Sequence, residues 1–186
     1  MNSLLKLKFS AIGFIALSTF SLASCASKTP HIVPYNMMEM NTRLSATQQH
    51  VLLGLIRHCG VHVIQQGSRL QMVLPTDRFF VPTTTLIKEN KAPTLREIAL
   101  YLHNFVRIHH TKYPLKVYGY TDKVYKRKVR HYYSNQYAQV IAAFMWRHGF
   151  RPGQMSVVGY GAHHPIANTR TTAGSAYNRR VVIQVN

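Results

Sequence analysis

Apolar positions between residues 45 and 186 recur at two periods, one helical and one alternating. Val51, Leu52, Leu55, Ile56 and Cys59 fall at helical spacing behind Ser45, and Gln48, three residues after that serine, completes a capping-box signature. Gly60 marks the stop. Val61–Ile64 and Leu70–Leu74 flank Gln-Gln-Gly-Ser and read as a β-hairpin. Leu95, Ile98, Leu102 and Phe105 then line one face of a second helix, for which Thr94 and Glu97 after Pro93 predict another capping box. Leu115–Tyr120 reads as a strand. A third helix is expected from about Arg130 to His148, with Tyr133, Tyr137, Val140, Ile141 and Phe144 inward and Gly149 as its stop. Two last strands, Met155–Tyr160 and Val181–Val185, lie either side of a polar loop.

The resulting order is one helix followed by β-β-α-β-α-β-β. Strands alternating with helices predict an α/β (α+β) two-layer sandwich, its helices packed on one sheet and preceded by an extra N-terminal helix. No internal repeat or low-complexity tract interrupts residues 45–186, which read as one domain.

The N-terminus has a different character. Lys6 and Lys8 precede an apolar run from Phe9 to Phe20, too short to span a bilayer comfortably, and the run closes on Leu22-Ala23-Ser24-Cys25. This order resembles the bacterial lipoprotein lipobox, which implies that residues 1–24 are a signal peptide and that the Cys25 thiol becomes a thioether to diacylglycerol, with the new amino terminus acylated (palmitate). A secretory leader with an incidental cysteine is the alternative. Acyl chains at about 0.8 kcal/mol per buried methylene anchor a chain durably. Ala26, in place of an aspartate, favours the outer membrane by the same resemblance. Residues 25–44, with Pro30, Pro34 and Met37, Met38 and Met40, read as a lipidated tether. With Cys25 acylated, Cys59 is expected to be an unpaired thiol on an apolar helix face.

Composition narrows the chemistry. The chain has 186 residues with 23 Lys and Arg against five acids, a formal charge of +18. Those acids are Glu39, Asp77, Glu89, Glu97 and Asp122, too few for paired-carboxylate hydrolysis or a carboxylate-rich cation site. Eleven histidines include the pairs His109-His110 and His163-His164, but adjacent residues do not converge on one ion from a helix, so no metal site and no cofactor are expected. Neither a nucleophile elbow, a P-loop nor a Cys–His signature is present, and no enzyme activity is expected. Lys123, Lys126, Arg127, Lys128 and Arg130 cluster without an acid, interleaved with tyrosines that include Tyr118, Tyr120, Tyr125, Tyr132 and Tyr133. Such a segment suits a solvated face, an anionic lipid or an acidic neighbouring protein. Nucleic acid is not an expected partner, because the leader carries the chain out of the cytoplasm.

The second half resembles the C-terminal domain of OmpA-like proteins, the module by which outer-membrane proteins and Pal-type lipoproteins grip peptidoglycan. The matching residues are Gly119-Tyr120-Thr121-Asp122, Ser134, Gly149, Val158-Gly159-Tyr160-Gly161, Pro165-Ile166-Ala167-Asn168, Gly174 and Asn178-Arg179-Arg180-Val181. The resemblance implies a β-α-β-α-β-β core on one mixed sheet and a ligand, the diaminopimelate of the stem peptide, that needs an acid for its ammonium and a cation for its carboxylate. Thr121 and Asp122 supply the acidic motif. The position of the family's arginine, three residues after Ser134, holds Tyr137. A Tyr hydroxyl has neither charge nor a bidentate fork, so either it joins the helix's apolar face or a nearby cation, Arg130 or Arg179, takes the carboxylate.

Gly60–Ile64 and Leu74–Phe80 further resemble the OmpA-like lipoprotein of type IVB (Dot/Icm) secretion systems. Together these readings predict an outer-membrane lipoprotein whose domain faces the periplasm. It would serve as a structural part of an envelope-spanning secretion machine, in contact with other secretion-system subunits. The alternative is a Pal-type tether that binds peptidoglycan through Asp122.

Overall fold

The computed structural model describes residues 43–111, 115–124 and 126–186. The leader, Cys25, nearly all of the tether and Tyr125 lie outside the described residues. Helix α1 (Ala46–His58) opens on the expected capping box: Ser45 Oγ accepts the Gln48 N–H at 3.2 Å, and Gln48 Oε1 accepts the Ser45 N–H at 2.9 Å. It ends before Gly60, whose φ of +88° suits a residue without a Cβ. Leu52, Ile56 and Cys59 form its buried side, whereas Val51 stays half exposed. Cys59 is disulfide-bonded, which corrects the expectation of an unpaired thiol.

The hairpin pairs β1 (His62–Gln66) with β2 (Arg69–Pro75). Gln66 lies opposite Arg69, so the turn is the two residues Gly67 and Ser68, with Gly67 at φ +58°. A four-residue helix α2 (Thr76–Phe79) follows β2 directly. Helix α3 (Ala92–Ile108) carries Leu95, Ile98, Leu102 and Phe105 into the core as expected. Its second capping box does not form. The preceding 3₁₀ turn Glu89–Lys91 already brings Lys91 into helical φ and ψ, so the helix starts at Ala92 and Thr94 is buried in its first turn.

Strand β3 (Leu115–Tyr120) leads to helix α4 (Arg127–Arg147), which begins three residues earlier than expected. Its innermost line is Ser134, Ala138, Ile141, Ala142 and Met145, while Tyr137, Val140 and Phe144 pack at the flank. The reason is close approach to the sheet: a Cβ on Gly119 would lie 1.8 Å from the Ser134 carbonyl oxygen, and one on Gly159 would lie 2.4 Å from the Asn135 nitrogen. At that approach α4 presents the small side chains of Ser134 and Ala138 to Gly119, and the larger Ile141 and Met145 enter the core further along the helix. Strand β4 (Met155–Gly159) precedes the loop expected to be wholly irregular, which instead contains helix α5 (Thr172–Asn178), capped by Thr171 Oγ1 accepting the Gly174 N–H at 3.0 Å. Strand β5 (Arg180–Val185) ends the domain.

The five strands form one mixed sheet in the order β1-β2-β5-β3-β4, antiparallel except for the parallel pair β3–β4. One face, with Leu70, Met72, Leu74, Leu115, Val117, Val181, Ile183 and Val185, is buried in a single core with residues of α1, α3 and α4. The two-layer sandwich with an additional N-terminal helix is the architecture found.

Candidate functional site

Strand register assembles the site. Arg180, the first residue of β5, lies opposite both Pro75, the last of β2, and Tyr120, the last of β3. The residue before it, Arg179, therefore sits between the two segments that leave those strands, Thr76-Asp77 and Thr121-Asp122. The Thr76 N–H donates to the Arg179 carbonyl at 3.0 Å, and Thr76 Oγ1 donates to the same oxygen at 3.1 Å. The Thr121 N–H donates to the Gly161 carbonyl at 2.8 Å.

The Arg179 guanidinium faces both carboxylates. Nε donates to Asp77 Oδ1 at 2.9 Å and Nη2 to Asp77 Oδ2 at 2.5 Å, a side-on fork, while Nη1 donates to Asp122 Oδ2. The remaining Asp122 oxygen, Oδ1, accepts the Val124 N–H at 3.1 Å. Asp122 is buried, with 2% of its side chain exposed, whereas 47% of the Asp77 side chain and 29% of Arg179 meet solvent. The hydrogen bonds that Arg179 donates to Asp77 hold its proton more tightly than usual, against the opposing effect of burial and with a further contribution from Asp122.

Above this cluster opens a cleft of about 460 Å³. Thr76, Thr83, Thr121, Tyr133 and Tyr137 line it alongside the three charged residues, and Phe80, Val81, Pro82 and Val124 form its apolar parts. Tyr137 lines the cleft and also packs against Phe80, with ring centroids 4.7 Å apart, and beside Tyr133. Of the two candidate substitute cations, Arg179 is in the cleft and Arg130 is not. The Arg130 carbonyl instead receives Thr121 Oγ1 at 3.5 Å, and its Nε is buried without a hydrogen-bond partner.

Asp77 was not among the expected site residues. Its signal was present as a repeated dipeptide, since Thr76-Asp77 and Thr121-Asp122 each follow a strand directly. The neighbouring Arg180 takes another path: its guanidinium lies 3.9 Å from the Tyr120 ring centroid and donates to the Asn178 and His164 carbonyls. Lys123 and Lys126, between Asp122 and α4, and Arg127 and Lys128, in the first turn of α4, are exposed, and that turn contains no acid. Among the described residues no group of three His, Cys, Asp or Glu side chains is placed to hold a metal ion. No helix among them is long and apolar enough to cross a membrane.

The probable lipoprotein YiaD of Escherichia coli is 28% identical over 139 residues, which cover 75% of this chain and 61% of YiaD. The peptidoglycan-binding protein ArfA of Mycobacterium tuberculosis is 37% identical over 68 residues, covering 37% of this chain and 21% of ArfA. The chain thus spans less than two thirds of the length of these relatives. Among solved structures, the cell wall anchor of the T6SS from Pseudomonas aeruginosa superposes with a TM-score of 0.61 at 22% identity, covering 77% of this chain and 98% of that one. The periplasmic domain of Helicobacter pylori MotB gives 0.56 at 22% identity, covering 67% and 80%. These two likenesses establish the fold. The OmpA family model matches residues 79–179, more than half of the 186 residues and a span that includes Thr121, Asp122, Ser134, Tyr137 and Arg179. On that match, and on the fold that agrees with it, the chain belongs to the OmpA family.

Proposed function

We propose that this chain is an outer-membrane lipoprotein that holds peptidoglycan through its periplasmic OmpA-like domain. Acylated Cys25 supplies the anchor and residues 26–44 the reach. The observation that carries the reading is the Asp77–Arg179–Asp122 cluster at the floor of an open cleft. Two carboxylates and one guanidinium offer an ammonium-bearing stem-peptide residue charge-assisted hydrogen bonds, which are the strong kind. The names of the relatives, a lipoprotein, a peptidoglycan-binding protein and the outer membrane porin F of Pseudomonas, point the same way. The cleft lining includes neither histidine nor cysteine, so the cluster suits an electrostatic grip rather than nucleophilic catalysis. A thioether on Cys25 takes the place of the Cys59 disulfide in the anchored protein, since the chain has two cysteines; the intact mass of membrane-extracted protein should show the added acyl chains, and a mass without them overturns the anchor.

A second reading makes the domain a structural component of a type IVB (Dot/Icm) secretion system, a lipoprotein of the DotK/IcmN kind that contacts neighbouring subunits. The resemblance of residues 60–64 and 74–80 supports it, and the exposed cations at the start of α4 suit an acidic neighbour. Co-sedimentation of the detergent-extracted full chain with purified sacculi separates the two. The tether predicts recovery in the pellet and at least a tenfold loss of binding in Asp122→Ala, because removing one partner of a buried charge pair costs about 2–5 kcal/mol. Protein that remains in the supernatant leaves the scaffold reading alone.

A further inference from the structure

The charged side chains lining the cleft are Asp77, Asp122 and Arg179. Arg179 commits Nε and Nη2 to Asp77 and Nη1 to Asp122, so one guanidinium serves two carboxylates and the cluster carries one net negative charge. Asp77 is the outer carboxylate, 47% exposed, and the one an entering group meets first. Tyr137, also in the lining, is neutral where the family resemblance places a cation. Lys88 reaches only the main-chain carbonyl of Asp77, at 2.8 Å, and does not line the cleft. Asp77 itself precedes the span matched by the family, residues 79–179.

The lining by itself, with one net negative charge, favours a single cation, and its one guanidinium is already engaged; Lys123, Lys126, Arg127 and Lys128 are exposed to solvent and outside that lining. In free diaminopimelate an ammonium and a carboxylate share one carbon, so that end has no net charge and its carboxylate approaches Asp77. Amidation of the carboxyl leaves the same end with a net positive charge and gives Asp77 an amide N–H donor in place of a like charge. Resting on the peptidoglycan reading above, we propose that Asp77 is a specificity-determining residue. It occupies the guanidinium fork of Arg179 and sets the cleft to take stem peptides that present an ammonium beside a carboxamide, in preference to an ammonium beside a free carboxylate.

Calorimetric titration tests this. The detergent-solubilised full chain is titrated with two synthetic stem tripeptides that differ only in whether the diaminopimelate carboxyl on the ammonium-bearing carbon is free or amidated. Wild type should bind the amidated form roughly tenfold more tightly or better, a preference equivalent to one charge-assisted contact. Asp77→Asn, a change at a half-exposed side chain, frees part of the Arg179 fork and should lower or reverse that ratio by improving binding of the free acid. Equal affinities in wild type, a wild-type preference for the free acid, or a ratio unchanged in Asp77→Asn each overturn the assignment. Binding of neither peptide by either protein overturns the peptidoglycan reading on which it rests.

Discussion

Ser134 shows how one hydroxyl holds a site in place without touching it. Its Oγ donates to the His131 carbonyl at 2.9 Å within α4 and accepts the buried Gly161 N–H at 2.8 Å from the segment after β4. The Gly161 carbonyl in turn accepts the Thr121 N–H, so the segment carrying Asp122 is tied to α4 through two links. Ser134→Ala leaves the Gly161 N–H buried without an acceptor, and stability should fall by about 1–3 kcal/mol in chemical denaturation. Unchanged stability would show that water replaces the hydroxyl. The serine was legible as a motif residue, but its partner 27 positions away was not, because helix periodicity reports only which side of the helix a residue occupies.

At the scale of elements, Asn178 joins α5 to the loop that follows β4. Its Oδ1 accepts the Ile166 and Ala167 N–H groups at 2.8 and 3.1 Å, and Nδ2 donates to the Ala167 carbonyl at 3.0 Å. Asn178 is also the last residue of α5, immediately before Arg179, so the same side chain fixes the approach of the cleft's guanidinium. Asn178→Ala should cost about 1–3 kcal/mol and speed hydrogen exchange at the Ile166 and Ala167 amides, with the strands of the sheet unaffected. Protection unchanged at those two amides would contradict the role. Helix α5 escaped the hydrophobic pattern because seven mostly polar residues carry no repeating apolar stripe. The start of α3 was misplaced for a complementary reason: a capping-box sequence forms a box only where the first residue is extended, and here a 3₁₀ turn delivers the chain already helical.

Across the whole molecule, pH acts through two histidines that join α3 to the end of α4. His103 Nε2–H donates to the His148 carbonyl at 2.9 Å, and His148 Nδ1–H donates to the Phe144 carbonyl at 2.7 Å. Their rings stack on Phe150 and Phe144 respectively. Burial pushes both imidazoles below their usual value, with neighbouring arginines acting in the same direction and the carbonyl bonds opposing. Below about pH 6.5 the unfolded histidines take up protons that the folded ones refuse. The unfolded state then binds more protons, and stability falls as pH drops from 7 through 6.5. Burial raises the Glu97 carboxyl and has the opposite sign, in a window beginning near the usual carboxyl value of 4.5. The denaturation midpoint should therefore be lower at pH 6 than at pH 7.5, and the drop should shrink in His103→Gln, which retains an N–H donor but does not titrate. A pH response identical in wild type and variant would remove His103 from the account.

The sequence alone determined the larger elements, the layer architecture and the acidic strand end at Asp122. Each of these follows from local spacing, because an apolar stripe or a turn glycine acts on its own few residues. It also supplied Arg179 as a candidate cation and Tyr137 as a departure. Only the tertiary structure decided that Arg179 enters the cleft while Arg130 does not, and that Asp77 completes the cluster. Asp77 and Arg179 are 102 residues apart, and they meet because β5 inserts between β2 and β3 with Arg180 opposite both Pro75 and Tyr120. Strand order and register are set by competition among whole faces for one core, and no local pattern of residues contains the outcome of that competition.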